Sequence, residues 1–154
     1  MSVSTDPAAT LAQERQAAGA LLECLLQEQQ LLAAADIDGL THSNARKAAL
    51  VQKSASLAQQ RHLALGTAGF SASEEGMRQW LSGAPQAARE AWEELMRLAG
   101  QAREANRTNG LLIHTHLARN RELLGALRGE SAGGVYGPGG QQSVGAVSRR
   151  LVVG

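Results

Sequence analysis

Residues 88–127, AREAWEELMRLAGQAREANRTNGLLIHTHLARNRELLGAL, decide how this chain folds. Ala88, Trp92, Leu95, Ala99, Ala102, Asn106, Asn109, Ile113, His116, Asn120, Leu123 and Leu127 follow one another at alternating intervals of four and three. A repeat of about 3.5 residues on one face belongs to a helix packed lengthwise against other helices. No proline interrupts the pattern after Pro85, and a helix from Pro85 to Arg128 spans about 66 Å at the usual rise per residue. A small globular core does not need such a rod, whereas an elongated bundle or coiled coil does. The middle of the seam is polar, with Asn106, Asn109, His116 and Asn120 where leucine packs best. That combination points to a partner-binding helical protein.

Composition agrees with an all-α fold. The chain has 154 residues, of which 44 % are hydrophobic and only 3 % aromatic. Its apolar content is mostly Leu and Ala, strong helix formers, whereas sheets favour Val, Ile, Phe and Tyr. Basic and acidic residues number 15 and 14, for a net charge of +1. They are spread without a Lys/Arg block, so the electrostatic footprint of a nucleic-acid partner is missing.

Outward from the long helix, the same signals divide the rest of the chain. Helix 1 is expected over about 6–35, capped by Thr5 or Asp6 with Pro7 at its first position. Leu11, Ala18, Leu22, Leu25 and Leu32 mark its apolar stripe, widened by Leu21 and Leu26. Asp36-Ile37-Asp38-Gly39 reads as a tight turn, with Asp38 capping helix 2 over about 39–65. So short a connection makes an antiparallel hairpin. Leu40, Leu50, Val51, Leu57, Ala58 and Leu65 mark the apolar side of helix 2. Ser71-Ala72-Ser73-Glu74 matches a capping box ahead of a short helix, about 73–81, that lays Met77, Trp80 and Leu81 on the hairpin. Helix 3 follows over 85–128. The expected architecture is an elongated antiparallel helical bundle, or coiled-coil hairpin, with a long C-terminal helix and a flexible tail.

That tail, GESAGGVYGPGGQQSVGAVSRRLVVG from Gly129 to Gly154, contains eight glycines and one proline. Such a composition buries too little apolar surface to offset its ordering entropy. Tyr136, the chain's only tyrosine, stands in it with Val135, Leu151, Val152 and Val153, which reads as a binding segment more than an inert linker.

Sites for chemistry are scarce. His114 and His116, two apart, fall on different faces of a helix, and no histidine follows the Glu-x-x-His or His-x-x-x-His spacing of helical metal sites. No GxSxG, phosphate-loop or dinucleotide motif occurs. Neither metal, cofactor nor catalytic activity is expected. Cys24, in a leucine-rich run, reads as a buried inert thiol, and His42 and His62 as solvated. Adjacent opposite charges, as in Glu14-Arg15, Arg89-Glu90 and Arg121-Glu122, read as solvated helix faces. The first residues, MSVSTDPAAT, lack the charge and apolar run of a secretory signal, and no stretch is apolar for the length of a membrane span. A cytoplasmic protein is expected, in which the Asn106-Arg107-Thr108 sequon is a chance match.

The seam asparagines admit two registers. In one, the helix turns so that Leu95, Leu98, Ala102, Ala105, Leu112 and Leu123 face the core and the asparagines face water. In the other, Asn106, Asn109 and Asn120 lie at an interface, where buried amides fix register or pair with a partner's polar groups. Gly110, costing about 1 kcal/mol against Ala within a helix, points to a close helix approach or a slight kink.

Three groups of residues together resemble the FlgN family of flagellar type III export chaperones. The first is Glu28-Gln29-Gln30-Leu31-Leu32 with the Asp36-to-Leu40 turn, then Lys47, Leu50 and Arg61. The second, more specific, is Asn106-x-x-Asn109-Gly110, then Leu112-Ile113 and Asn120. The third is Tyr136-Gly137-Pro138-Gly139-Gly140-Gln141 before Arg149-Arg150 and a terminal apolar run. The tail is richer in glycine than the family pattern. The resemblance implies a cytoplasmic, non-enzymatic helper that binds hook-associated proteins of the hook–filament junction by their helical termini, prevents their premature association and delivers them to the export gate. On that analogy Asn106, Asn109, Ile113, Asn120, Leu123 and Leu127 meet the client, and Tyr136 docks on the cytoplasmic domain of the gate. A homo-oligomeric coiled-coil scaffold without a client is the rival expectation.

Overall fold

A computed structural model describes residues 4–153, with side chains from 4 to 129. The helices are α1 (Leu11–Ala34), α2 (Ile37–Thr67), α3 (Glu74–Ser82) and α4 (Gln86–Val153), and the described residues contain no strand. The all-α expectation is met. The chain divides into two units, Met1–Leu112 and Ile113–Gly154.

In the first unit α1 and α2 form the antiparallel hairpin, but its turn differs from the one expected. Ala35 takes a left-handed conformation, φ 53°, and its amide returns to the last carbonyls of α1. Asp36, not Asp38, then caps α2, its carboxylate accepting from the Gly39 amide at 3.0 Å. Aspartate suits this position because its side chain satisfies an amide that the first turn leaves unpaired. Reversal therefore takes one residue fewer than the Asp-Ile-Asp-Gly reading allowed.

The start of α1 also shifts. Asp6 accepts from the Ala8 amide at 2.9 Å but does not cap the helix, whose N-cap is Thr10; residues 7–10 close as tight turns with bonds from Ala9 to Asp6 and from Leu11 to Ala8. The regular α-helix begins only at Leu11. At α3 the expected capping box is replaced by Ser73, whose Oγ accepts from the Gly76 amide at 3.1 Å. Ser71 instead folds its carbonyl against Gly76, so tightly that any Cβ at 76 would overlap it. Glycine is required there by close approach, not by φ.

One apolar core runs through this unit. Leu11 and Ala18 of α1 meet Leu65 of α2, Met77 and Leu81 of α3, and Ala88, Trp92 and Leu95 of α4. A second cluster joins Leu25 to Ala102 and Ala105. Positions ascend together on α1 and α4, so the first half of α4 runs parallel to α1 and antiparallel to α2. Each fully buried leucine or methionine contributes about 1.5–3 kcal/mol. Of the six residues in the first register, Leu95, Ala102 and Ala105 are buried, Leu98 and Leu112 half-buried, and Leu123 exposed. Cys24 is buried as expected, its Sγ 3.7 Å from the Ser43 carbonyl.

The helical backbone of α4 continues to Val153, past the Arg128 end expected from composition. Helical main-chain bonds need no particular side chain, although each glycine makes them costlier. Tyr136 and the other side chains of 130–154 lie outside those described. At Gly110 no atom other than the helix's own backbone and its chain neighbours would meet an added Cβ within 4 Å, so the expected close approach is not found.

Two opposite glycine effects are expected. Gly76→Ala should destabilise the protein by about 1–3 kcal/mol through overpacking, whereas Gly110→Ala should stabilise it by up to about 1 kcal/mol. Urea denaturation of both variants checks this, and equal midpoints would contradict it.

Candidate functional site

The buried positions of α1 step by three and four through Leu11, Glu14, Ala18, Leu21, Leu25, Glu28 and Leu32, with Leu21 only half-buried. Two of the seven are glutamates, 6 % and 2 % exposed. A buried carboxylate is costly unless it is paired and hydrogen-bonded, and α2 supplies a cation for each. Arg61 Nε donates to both Glu14 oxygens, at 3.0 and 3.2 Å, and Thr10 Oγ1 adds a third bond at 3.0 Å. The same guanidinium lies over the Trp92 ring of α4, 4.8 Å from its centroid. At the second position Lys47 Nζ donates to Glu28 Oε2 at 2.9 Å. Glu14–Arg61 and Glu28–Lys47 are two heptads apart on both helices, counted in opposite directions, as an antiparallel register requires.

Asn109 closes the second network from α4. It is 1 % exposed, and its Nδ2 donates to the Leu25 carbonyl at 2.8 Å and to Glu28 Oε1 at 2.9 Å. Its Oδ1 is buried with no protein partner among the described residues. The amide faces α1 with its donor end because both neighbours are acceptors.

The expectation that Glu14 belongs to a solvated face is therefore overturned. Sequence neighbours on a helix point in different directions, so Arg15 remains exposed while Glu14 enters the seam. Arg89, Glu90, Arg121 and Glu122 are exposed, as expected. His42 is exposed and His62 half-buried. On the outer face of α4, a hydrogen bond from Arg97 holds the Glu94 carboxyl below its usual range, and Arg107 does the same for Glu104.

The six expected client-contacting residues fall into different surroundings. In the first unit Asn106 is exposed and Asn109 buried in the network just described. In the second unit Ile113, Asn120, Leu123 and Leu127 are all exposed, and His116 is half-buried. Leu117 and Leu124, which the four-three seam does not include, are exposed beside them at 50 % and 54 %. They were legible as the alternative partners of Ile113, Asn120 and Leu127, since 113, 117, 120, 124 and 127 also step by four and three. Together these side chains make an apolar stripe of the kind that marks an interaction surface.

The fold defines a class, the all-α helical hairpins with a long C-terminal helix. Within that class, residues 1–143 match the family model described as FlgN protein, and the chain belongs to this family of flagellar export chaperones. No curated protein and no solved structure matches the chain significantly. No helix among the described residues is long and apolar enough to cross a membrane.

Removing one partner of the buried pair should cost more than removing both. Arg61→Met leaves the Glu14 charge buried and unpaired, an expected loss of about 3–5 kcal/mol. The double variant Glu14→Leu, Arg61→Met should recover most of that loss. Chemical denaturation of the single and double variants measures it, and an additive double loss would refute coupling through the pair.

Proposed function

We propose that this chain is a non-enzymatic chaperone that holds hook-associated proteins of the hook–filament junction in the cytoplasm and delivers them to the type III export gate. Family membership supports the general role. The observation that carries the client reading is the exposed stripe of Ile113, Leu117, Leu123, Leu124 and Leu127. An amphipathic client helix docks on such a stripe by anchors three and four residues apart, with Asn120 offering a polar contact. Asn109 is committed to Glu28 and Leu25 and does not touch the client in this reading.

The segment 129–154, whose glycines make the helical backbone there costly to hold, serves as a flexible binding tail. A segment that orders on binding gives reversible contacts at modest affinity, which suits a carrier that must release its load. Tyr136 is the anchor for the cytoplasmic domain of the gate, an amphipathic ring of the type found in binding hot spots.

Calorimetric titration with the junction proteins' helical termini tests the reading. The full chain should bind saturably, and the 1–128 truncation should keep its helical fold but bind client and gate less well. Unchanged affinity for both partners would remove the tail from the proposal. Absence of binding by either form, with large assemblies in light scattering, would favour a homo-oligomeric scaffold. Tyr136→Ala should weaken gate docking more than client binding, and equal losses would deny it a gate-specific role.

A further inference from the structure

The first unit contains a groove of about 660 Å³ that neither the stripe of the second unit nor the family assignment explains. Its floor is α1 and its walls are α2 and α4. Much of the lining keeps the heptad step: Ala18, Leu21 and Leu25 on α1; Val51, Ser54 and Ala58 on α2; Leu95, Ala99, Ala102 and Asn106 on α4, with Met96 and Arg103 beside them and Glu74 from α3. Three helices that present four-three seams into one open channel leave the place of a fourth helix vacant, because knobs-into-holes packing needs that periodicity on each neighbour. Alanine and serine at five of these positions let a helix approach closely. Val51 is 52 % exposed, so the channel is not closed by its own walls.

Charge selects the occupant. The groove's carboxylates are already matched: Glu14 by Arg61 and Glu74 by Arg78. Lys47 is spent on Glu28. Arg103 lines the wall exposed and has no acidic partner among the described residues. A second copy inserting its own apolar stripe, residues 113–128, would bring Arg119, Arg121 and Arg128 with only Glu122 to offset them, the wrong sign for Arg103. We infer that this groove is a second docking site, which takes an amphipathic helix of another protein carrying heptad-spaced apolar residues and a carboxylate placed against Arg103.

The inference rests on the chaperone reading only for where such a helix comes from. Its test uses two synthetic amphipathic helical peptides with the same apolar stripe and opposite charges on the flanking positions, titrated into the full chain. The acidic peptide should bind more tightly and shift backbone amide resonances of Val51, Ala58, Ala99 and Ala102. Arg103→Glu, an exposed change that spares the core, should weaken the acidic peptide about fivefold, the scale of one exposed ion pair, and strengthen the basic one. Equal binding of both peptides, shifts confined to 113–127, failure of the acidic peptide to bind, or protein dimers that occupy the groove would each overturn the inference. Junction-protein binding by the Arg103→Glu variant is read separately. Peptide docking in the groove without any junction-protein binding sinks the client assignment alone, and the reverse sinks the groove alone.

Discussion

Arg61 is the joint on which the first unit depends. One guanidinium from α2 neutralises a buried carboxylate of α1 and covers an indole of α4. Arginine can do both because its planar, delocalised cation offers donors at its edge and a flat face to an aromatic ring. Without it, Glu14 would place an uncompensated charge between helices, a state that costs several kcal/mol. The seam of α1 is thus intelligible only as one half of a matched set.

The second carboxylate extends the constraint along the hairpin. Glu28 is met by Lys47 and by the amide of Asn109, so α1, α2 and α4 are each tied at two levels. An apolar seam made only of leucine and alanine tolerates sliding by a heptad, since every step presents similar side chains. Charges at two levels do not, because a slip would separate both pairs at once. Polar residues in this core are best understood as register devices, the use for which buried polar groups in helical assemblies are best attested. Their net contribution to stability is small beside that of the apolar clusters, but they define which packing is reached.

Burial and exposure fall on successive stretches of one periodic pattern. Through Asn109 the α4 seam is largely consumed internally by Ala88, Trp92, Leu95, Ala102 and Asn109, which are buried. From Ile113 onward the same period continues with exposed isoleucine and leucines. If the proposed client docks on these residues, it meets a helix whose beginning is anchored in a core. Such a helix remains formed while the surface is free, and its partner then pays less ordering entropy on docking.

Much of this was legible in residues 88–127 and in the leucines of helix 1. Alternating steps of four and three specify helices packed lengthwise, and the Asp-Ile-Asp-Gly stretch between two such patterns specifies a hairpin. These are local properties of backbone and side-chain periodicity, so the chain determines them by itself. Element ends were less legible, because Asp36 and Asp38, or Ser71 and Ser73, offer the same capping chemistry and only the packed chain selects between them. The role of Glu14 was not legible at all, and that of Asn109 only as one of two registers. Period places Asn109 on the seam but cannot distinguish an amide that binds a partner from one already spent on Glu28. Glu14 beside Arg15 looks solvated until Arg61, far along the chain, is brought over it. Sequence alone therefore determined an all-helical chain with a hairpin and a long final helix. Tertiary structure decided which polar residues are internal ties and which faces stay open, because burial and pairing are set by what the other helices bring into contact.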